Sequence, residues 1–207
     1  MVRSVLFYRS SPLFTQSFLY ISANLCYTVG RNDWRYHMEI RKATAKEYPL
    51  ILALLDEARG TIAALGINQW QNGEPAPEII REDIALGLSY VAMEGDALLG
   101  TFALMNDSEP LYDRITGGAW KTGDGKEHYQ AIHRVAVAVC ARGKGISTAI
   151  VDFAASHARA VGRTSLRIDT HEGNVVMRRM LEKHGFSLCG VIYLRNGDPR
   201  VAYERIL

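Results

Sequence analysis

Arg142-Gly143-Lys144-Gly145-Ile146-Ser147 lies where a strand pattern gives way to a helical one, and residues of these types at this spacing can hold a phosphate. A helix start leaves backbone N–H groups without partners and carries about half a positive charge, so it attracts anions. Gly143 and Gly145 let that backbone come close to a bulky group, and Arg142 and Lys144 add charge beside it. Taken alone, the hexapeptide has an equally good plain reading in which the glycines only turn the chain. It lacks GxxxxGK[ST], and Ser147 and Thr148 stand out of register for GxGxxG. Three residues nearby can take a proton from a nucleophile: His133, Asp169 and His171. Strand alternation puts His133, Val135 and Val137 on one face, and Arg167, Asp169 and His171 on another. His171 falls at a strand end and is the preferred base. Each histidine also reads as a surface or hydrogen-bonded structural residue, Asp169 as a partner of arginine, and Asn174 as a helix cap.

The elements that must position these groups alternate along the chain. A strand at 38–42 precedes Thr44-Ala45-Lys46-Glu47, which has capping-box spacing. Ile51, Leu55, Ala58, Ile62 and Leu65 then form a helical stripe, with Pro49 suited to a first turn and Gly66 to a stop. Residues 68–77 read as a loop, 77–87 as a short helix, and 89–93 with 97–105 as a hairpin around Glu94-Gly95-Asp96. Residues 107–127 read as an irregular excursion. A strand at 130–139 runs into the glycine hexapeptide, and Ile146, Ile150, Phe153, Ala154, Ala158 and Val161 mark the helix behind it. A strand (164–170), a helix (174–184) and two strands (187–195, 200–206) joined by Asn196-Gly197 complete the chain. The pattern predicts an α/β (α+β) domain with a mixed, mostly antiparallel sheet of six to seven strands and about four helices.

Composition narrows the function classes. The chain has 207 residues, 48% hydrophobic, with a net charge of +2, which argues against nucleic-acid binding by bulk charge. No run reaches the roughly 18 apolar residues of a membrane span. Three scattered cysteines (Cys26, Cys140, Cys189) suggest neither a disulfide framework nor a zinc site, and fit a reducing cytoplasm. Residues 1–37 hold four arginines, five serines and one acid. They are expected to lie outside the fold, as a disordered tail or an upstream start before Met38, ahead of a transit-peptide role. The domain is expected over 38–207.

His133-Arg134-Val135-Ala136-Val137 followed by Arg142-Gly143-Lys144-Gly145-Ile146-Ser147 resembles the coenzyme A motif of the GNAT acyltransferase superfamily, Arg/Gln-x-x-Gly-x-Gly/Ala, with Ser147 as a small departure. Asn174-x-x-Met177-x-x-Met180-Leu181-Glu182-Lys183-x-Gly185-Phe186 resembles the second motif, Asn-x-x-Ala-x-x-Leu-Tyr-Glu-Lys-x-Gly-Phe. The resemblance covers 38–207 in element order, with the specific residues confined to 133–186. It implies a sheet splayed in its middle and acetyl-CoA as co-substrate, with no metal. Backbone groups at Val135 and Val137 would hold the pantetheine arm, the amides of 142–147 the pyrophosphate, and Asn174 and Arg178 would lie beside the cofactor.

The implied reaction is direct attack of an amine on the thioester, with a small-molecule acceptor ahead of a peptide. Such a chain works without nucleic acid or membrane and is compatible with a homodimer. The family's acid, a tyrosine, aligns with Leu181, so the thiolate, a fair leaving group, departs without an acid at some cost in rate, or Tyr193 or a water serves instead, or the protein binds acyl-CoA without transferring it, as a regulatory module. A third reading makes it a protein-interaction domain. Trp70, Tyr193 and Arg200 are the candidate acceptor contacts, with Gln69, Asn72, Glu74 and Tyr203 behind them; Trp70 reads equally as a loop anchor.

Overall fold

The computed structural model describes residues 38–105 and 109–207. The expectations for residues 1–37 lie outside the described residues. Strand β1 (Met38–Lys42) leads into helix α1 (Tyr48–Ala63). Both sequence signals at this start operate together. Glu47 stands at the cap, where its carboxylate accepts from the Thr44 amide at 2.8 Å, the Thr44 hydroxyl at 2.7 Å and the Arg41 guanidinium at 3.0 Å. Pro49 sits in the first turn, where a missing N–H costs nothing. Ile51, Leu54, Leu55, Ala58 and Ile62 form the buried stripe.

Burial by itself would raise the Glu47 carboxyl, but the bonds from Arg41 and Thr44 outweigh it and hold the group at about 2. A carboxyl held low in the folded state stabilises it at pH values above the unfolded range and loses that effect as pH falls toward 2. Glu47→Gln is therefore expected to cost about 1–3 kcal/mol at neutral pH. Thermal melts should show the wild-type advantage shrinking between about pH 5 and pH 2.5; an advantage that stays constant contradicts the assignment.

The remaining elements are α2 (Pro77–Ala85), β2 (Ser89–Glu94), β3 (Ala97–Met105), β4 (Tyr129–Val137), α3 (Ile146–Ala160), β5 (Ser165–Thr170), α4 (Val175–Lys183), β6 (Ser187–Tyr193) and β7 (Pro199–Ile206). The seven strands form one sheet in the order β1-β2-β3-β4-β5-β7-β6, and β4–β5 is its one parallel pair. The architecture is the expected one. The main core lies between the sheet and the apolar faces of α1 and α3, and a smaller one gathers Tyr112, Trp120 and Tyr129. In the smaller core, buried Arg167 pairs with Glu204 at 3.0 Å and lies between the rings of Trp120 and Tyr129, with 4.2 and 4.0 Å to their centroids. The excursion at 107–127 thus packs as core where it is described. No helix among the described residues is long and apolar enough to cross a membrane.

Two features of β4 set up the site. Its ladder with β5 spans only Tyr129–Ala131 against Ser165–Arg167, although β4 continues to Val137 and β5 to Thr170. Past Ala131 the strands part and leave a fork. On its other edge β4 is bulged: Ala103 opposes His133 while Thr101 opposes Ala136, so β4 has one residue more than β3. Arg134 absorbs the kink at φ 54°. This corrects the alternation expected from sequence. His133 faces with Ala103 and Val137 with Gly100, three residues away on β3, so His133 and Val137 point to opposite sides of the sheet.

Among the described residues, Cys189 is buried and free.

Candidate active site

The fork opens a cavity of about 310 Å³. Its β4 wall is Ile132 to Val135, and its β5 wall is Ile168 to Thr170. The bulge is clamped from α2: Arg134 approaches buried Asp83 through Nε at 2.8 Å and donates from Nη2 at 2.9 Å. Burial raises the Asp83 carboxyl, and Arg134 only partly opposes the rise. The loop after α1 is tied to the same place through one side chain. Gln69 Oε1 accepts from the Thr170 hydroxyl at 3.3 Å, the His171 amide at 3.2 Å and Asn174 Nδ2 at 3.3 Å. Trp70 follows at φ 64°, lining the cavity while packing on the core.

The acid–base groups sort themselves by their hydrogen bonds. His133 Nε2 lies 3.3 Å from Glu109, and both line the cavity. Burial pushes Glu109 up, yet His133, the Leu111 amide and Arg134 outweigh it and hold the group below the usual carboxylate range. Asp169 also lines the cavity and accepts the Tyr112 hydroxyl at 2.8 Å. Burial and the Asp169 charge push that phenol well above its ordinary value, so it remains a donor.

His171 is placed differently. It does not line the cavity, and its Nδ1 accepts the Gly173 amide at 3.0 Å. The neutral ring must then carry its proton on Nε2, which leaves no free lone pair for a substrate. β5 also ends at Thr170, so His171 lies past the strand rather than on its face with Asp169.

The remaining sequence candidates divide. Asn174 caps α4, accepting the Met177 amide at 3.2 Å, and lines the cavity as well. Arg200 lines the cavity and is 6% exposed. Tyr193 is 52% exposed and outside the lining. Arg178 is engaged along α4, donating to the Tyr203 hydroxyl and to the Glu172 carbonyl, each at 3.1 Å. Leu181 is buried in the main core. Glu109 was missed from sequence because the excursion carrying it has no periodicity; the one local cue is Pro110, which marks Glu109 as the cap of the turn Pro110–Asp113.

Farther along, β4 delivers the glycine turn. Gly145 caps α3 at φ 83°, and Gly143 has φ 75° with open space where a Cβ would stand. The first amides of α3, at Ile146, Ser147 and Thr148, have no intrahelical partner. Arg142 donates to the Thr61 hydroxyl at 3.0 Å, which fixes the turn against α1. Arg142 to Ser147 do not line the cavity; the stretch Val135–Ala141 joins the two places. The left-handed glycines, the bare helix start and the unpaired β4 edge all fit a long cofactor whose anionic part lies at the turn and whose reactive end lies at the fork.

The sequence matches the acetyltransferase (GNAT) family over residues 64–186. Among solved structures, a GNAT-family acetyltransferase from Streptococcus agalactiae is 34% identical, with 82% of this chain and 95% of that one covered and a TM-score of 0.74. A GNAT-family acetyltransferase from Listeria monocytogenes shares the fold at 20% identity, with 82% and 95% covered and a TM-score of 0.63. So does a ribosomal-protein-alanine N-acetyltransferase from Brucella melitensis, at 20% identity, with 82% and 99% covered and a TM-score of 0.58. Comparison with curated proteins returns no match. With the forked sheet, the bulged β4 and the glycine turn in the family's order, the chain belongs to the GNAT acetyltransferase family.

Proposed function

We propose that this protein transfers the acetyl group of acetyl-CoA to the amine of a small molecule bound in the fork cavity. The observation that carries the reading is the cavity itself. Its lining brings the Glu109–His133 pair and Asp169 together where β4 and β5 part, with His133 on the strand that leads to the glycine turn. A volume of about 310 Å³ lies at the small end of ligand pockets, which favours a small acceptor over a folded protein surface.

The amides of Gly143, Gly145, Ile146 and Ser147 would hold the diphosphate of the cofactor, the Lys144 amide being engaged by the Ala141 carbonyl at 3.3 Å, and the unpaired edge of β4 at Val135 and Val137 its pantetheine arm. Bound acetyl-CoA supplies an acetyl group activated as a thioester. The protein's own part is to bind the amine and remove its proton. Glu109 and Asp169 attract the ammonium form. Once the ammonium has lost one proton to solvent, the neutral amine would attack the thioester carbon. His133, with Nε2 turned to the Glu109 carboxylate, keeps Nδ1 as its acceptor and takes the second proton as the C–N bond forms, while the C–S bond breaks and the departing thiolate takes its proton from water. Leu181, enclosed in the core, has no proton to give.

Calorimetric titration of the full chain with acetyl-CoA, paired with a thiol-release assay over an amine panel, tests the proposal. The expected result is saturable binding and amine-dependent thiol release. Binding without release on any amine would replace it with the non-catalytic regulatory reading, and no binding would remove both.

A further inference from the structure

Arg200 is a cavity-lining charge that the transfer reaction does not use. Its guanidinium is 6% exposed and makes one hydrogen bond among the described residues, from Nη1 to the neighbouring Pro199 carbonyl at 2.8 Å. Asp198 Oδ2 stands 3.9 Å from Nη2, beyond hydrogen-bond reach. That oxygen is already held by Asn196 at 3.1 Å and Asn68 at 3.4 Å. The Nε–Nη2 edge, which grips a carboxylate by two parallel bonds, is thus left without a hydrogen-bond partner among the described residues, with Asp198 as a loose ion-pair neighbour. A buried guanidinium so poorly matched is costly unless an anion arrives.

Its position says what the anion is attached to. β7 pairs Ala202 with Asp169 and Val201 with Thr170, and Arg200 lies two residues before Ala202. Arg200 and Asp169 therefore share a sheet face, on adjacent strands and diagonally placed, about 7–8 Å apart at the backbone. The cavity lining thus joins the carboxylates of Asp169, Glu109 and Glu74 with the guanidinium of Arg200. We infer that the acceptor is a zwitterion: an amine that also carries a carboxylate, with the carboxylate on the Nε–Nη2 edge of Arg200 and the ammonium toward Asp169 and Glu109. This inference rests on the proposed acetyl transfer and narrows its acceptor to the amino-acid class.

The test compares free amino acids with their carboxamides and with aminoalkyl phosphonates, using the full chain, Arg200→Gln and Arg200→Lys. Wild type should favour the acid over its carboxamide by at least tenfold in kcat/KM, chiefly through KM. That preference should fall to within about threefold in Arg200→Gln and partly return in Arg200→Lys. Calorimetric titration of the same compounds gives a readout that needs no turnover, and melting curves show that each variant is folded. Should no amine be acetylated, the transferase reading fails by itself, and the titrations still judge Arg200. Binding of acids that is lost in Arg200→Gln sustains the inference. Equal use or equal binding of acids and carboxamides, a preference that persists in Arg200→Gln, no binding of any acid, or phosphonates favoured over carboxylates would each overturn it.

Discussion

His133→Ala is expected to lower kcat on the best amine by about 10²–10⁴-fold, the range lost with a positioned acid–base group, while acetyl-CoA affinity changes by less than about threefold. The contrast with His171 carries the argument. Nδ1 of His171 is committed to the Gly173 amide at 3.0 Å, so its alanine variant should act on the turn before α4 and on stability. His133 has Nε2 3.3 Å from a carboxylate that is held below its usual range, an arrangement that orients the ring in the cavity wall. In wild type, kcat/KM should fall as pH drops and the base becomes protonated. That acidic limb should disappear in His133→Ala and remain in His171→Ala. Glu109→Gln removes the carboxylate that orients the ring, so it should lower kcat, by less than His133→Ala does. Steady-state kinetics from about pH 6 to pH 9 with one good acceptor decide it. An unchanged limb in His133→Ala, or its loss in His171→Ala, removes His133 as the base.

The same contrast shows what the sequence could convey. Local chemistry was legible: Thr44, Glu47 and Pro49 announce the start of α1, and Gly143 and Gly145 the turn before α3, because caps and turns are made by near neighbours in the chain. The two motifs around them carried the family. The bulge was not legible. Arg134 takes φ 54° under the hold of Asp83, 51 positions earlier, and nothing near Arg134 in the chain reports that partner. One inserted residue reverses the faces of His133 and Val137, so an alternation argument that is sound on a regular strand failed on this one. Glu109 was hidden for a related reason, and so was the role of Gln69 as a tie between β5 and α4, since the sequence marked it only as a candidate pocket residue. Both lie on non-periodic segments, and their importance comes from meeting β4, β5 and α4 across the fold. Preferring His171 as the base followed from its place at a strand end; its own turn, made with Gly173 two residues on, takes the lone pair that role requires.

Gly145→Glu is expected to reduce acetyl-CoA affinity at least 100-fold, below detection in a calorimetric titration, through two separable effects. Gly145 caps α3 at φ 83°, so any side chain there meets backbone strain of about 1–2 kcal/mol. A carboxylate at that position also sits beside the bare amides of Ile146, Ser147 and Thr148, where it competes with the cofactor's phosphates for the same N–H groups and repels them. Gly145→Ala isolates the first effect: it should lower the melting temperature and retain binding within about tenfold, since strain alone leaves the amides free. Gly143→Ala has open space for its Cβ and φ 75°, so it should lose stability by a similar amount with a smaller effect on affinity. Melting curves taken with the titrations separate misfolding from lost binding, because a folded Gly145→Glu chain that no longer binds reports on the amides. Affinity kept within twofold in that variant would move the phosphate site away from the start of α3, and the cofactor would then have to approach the fork from a direction that the glycine turn does not serve.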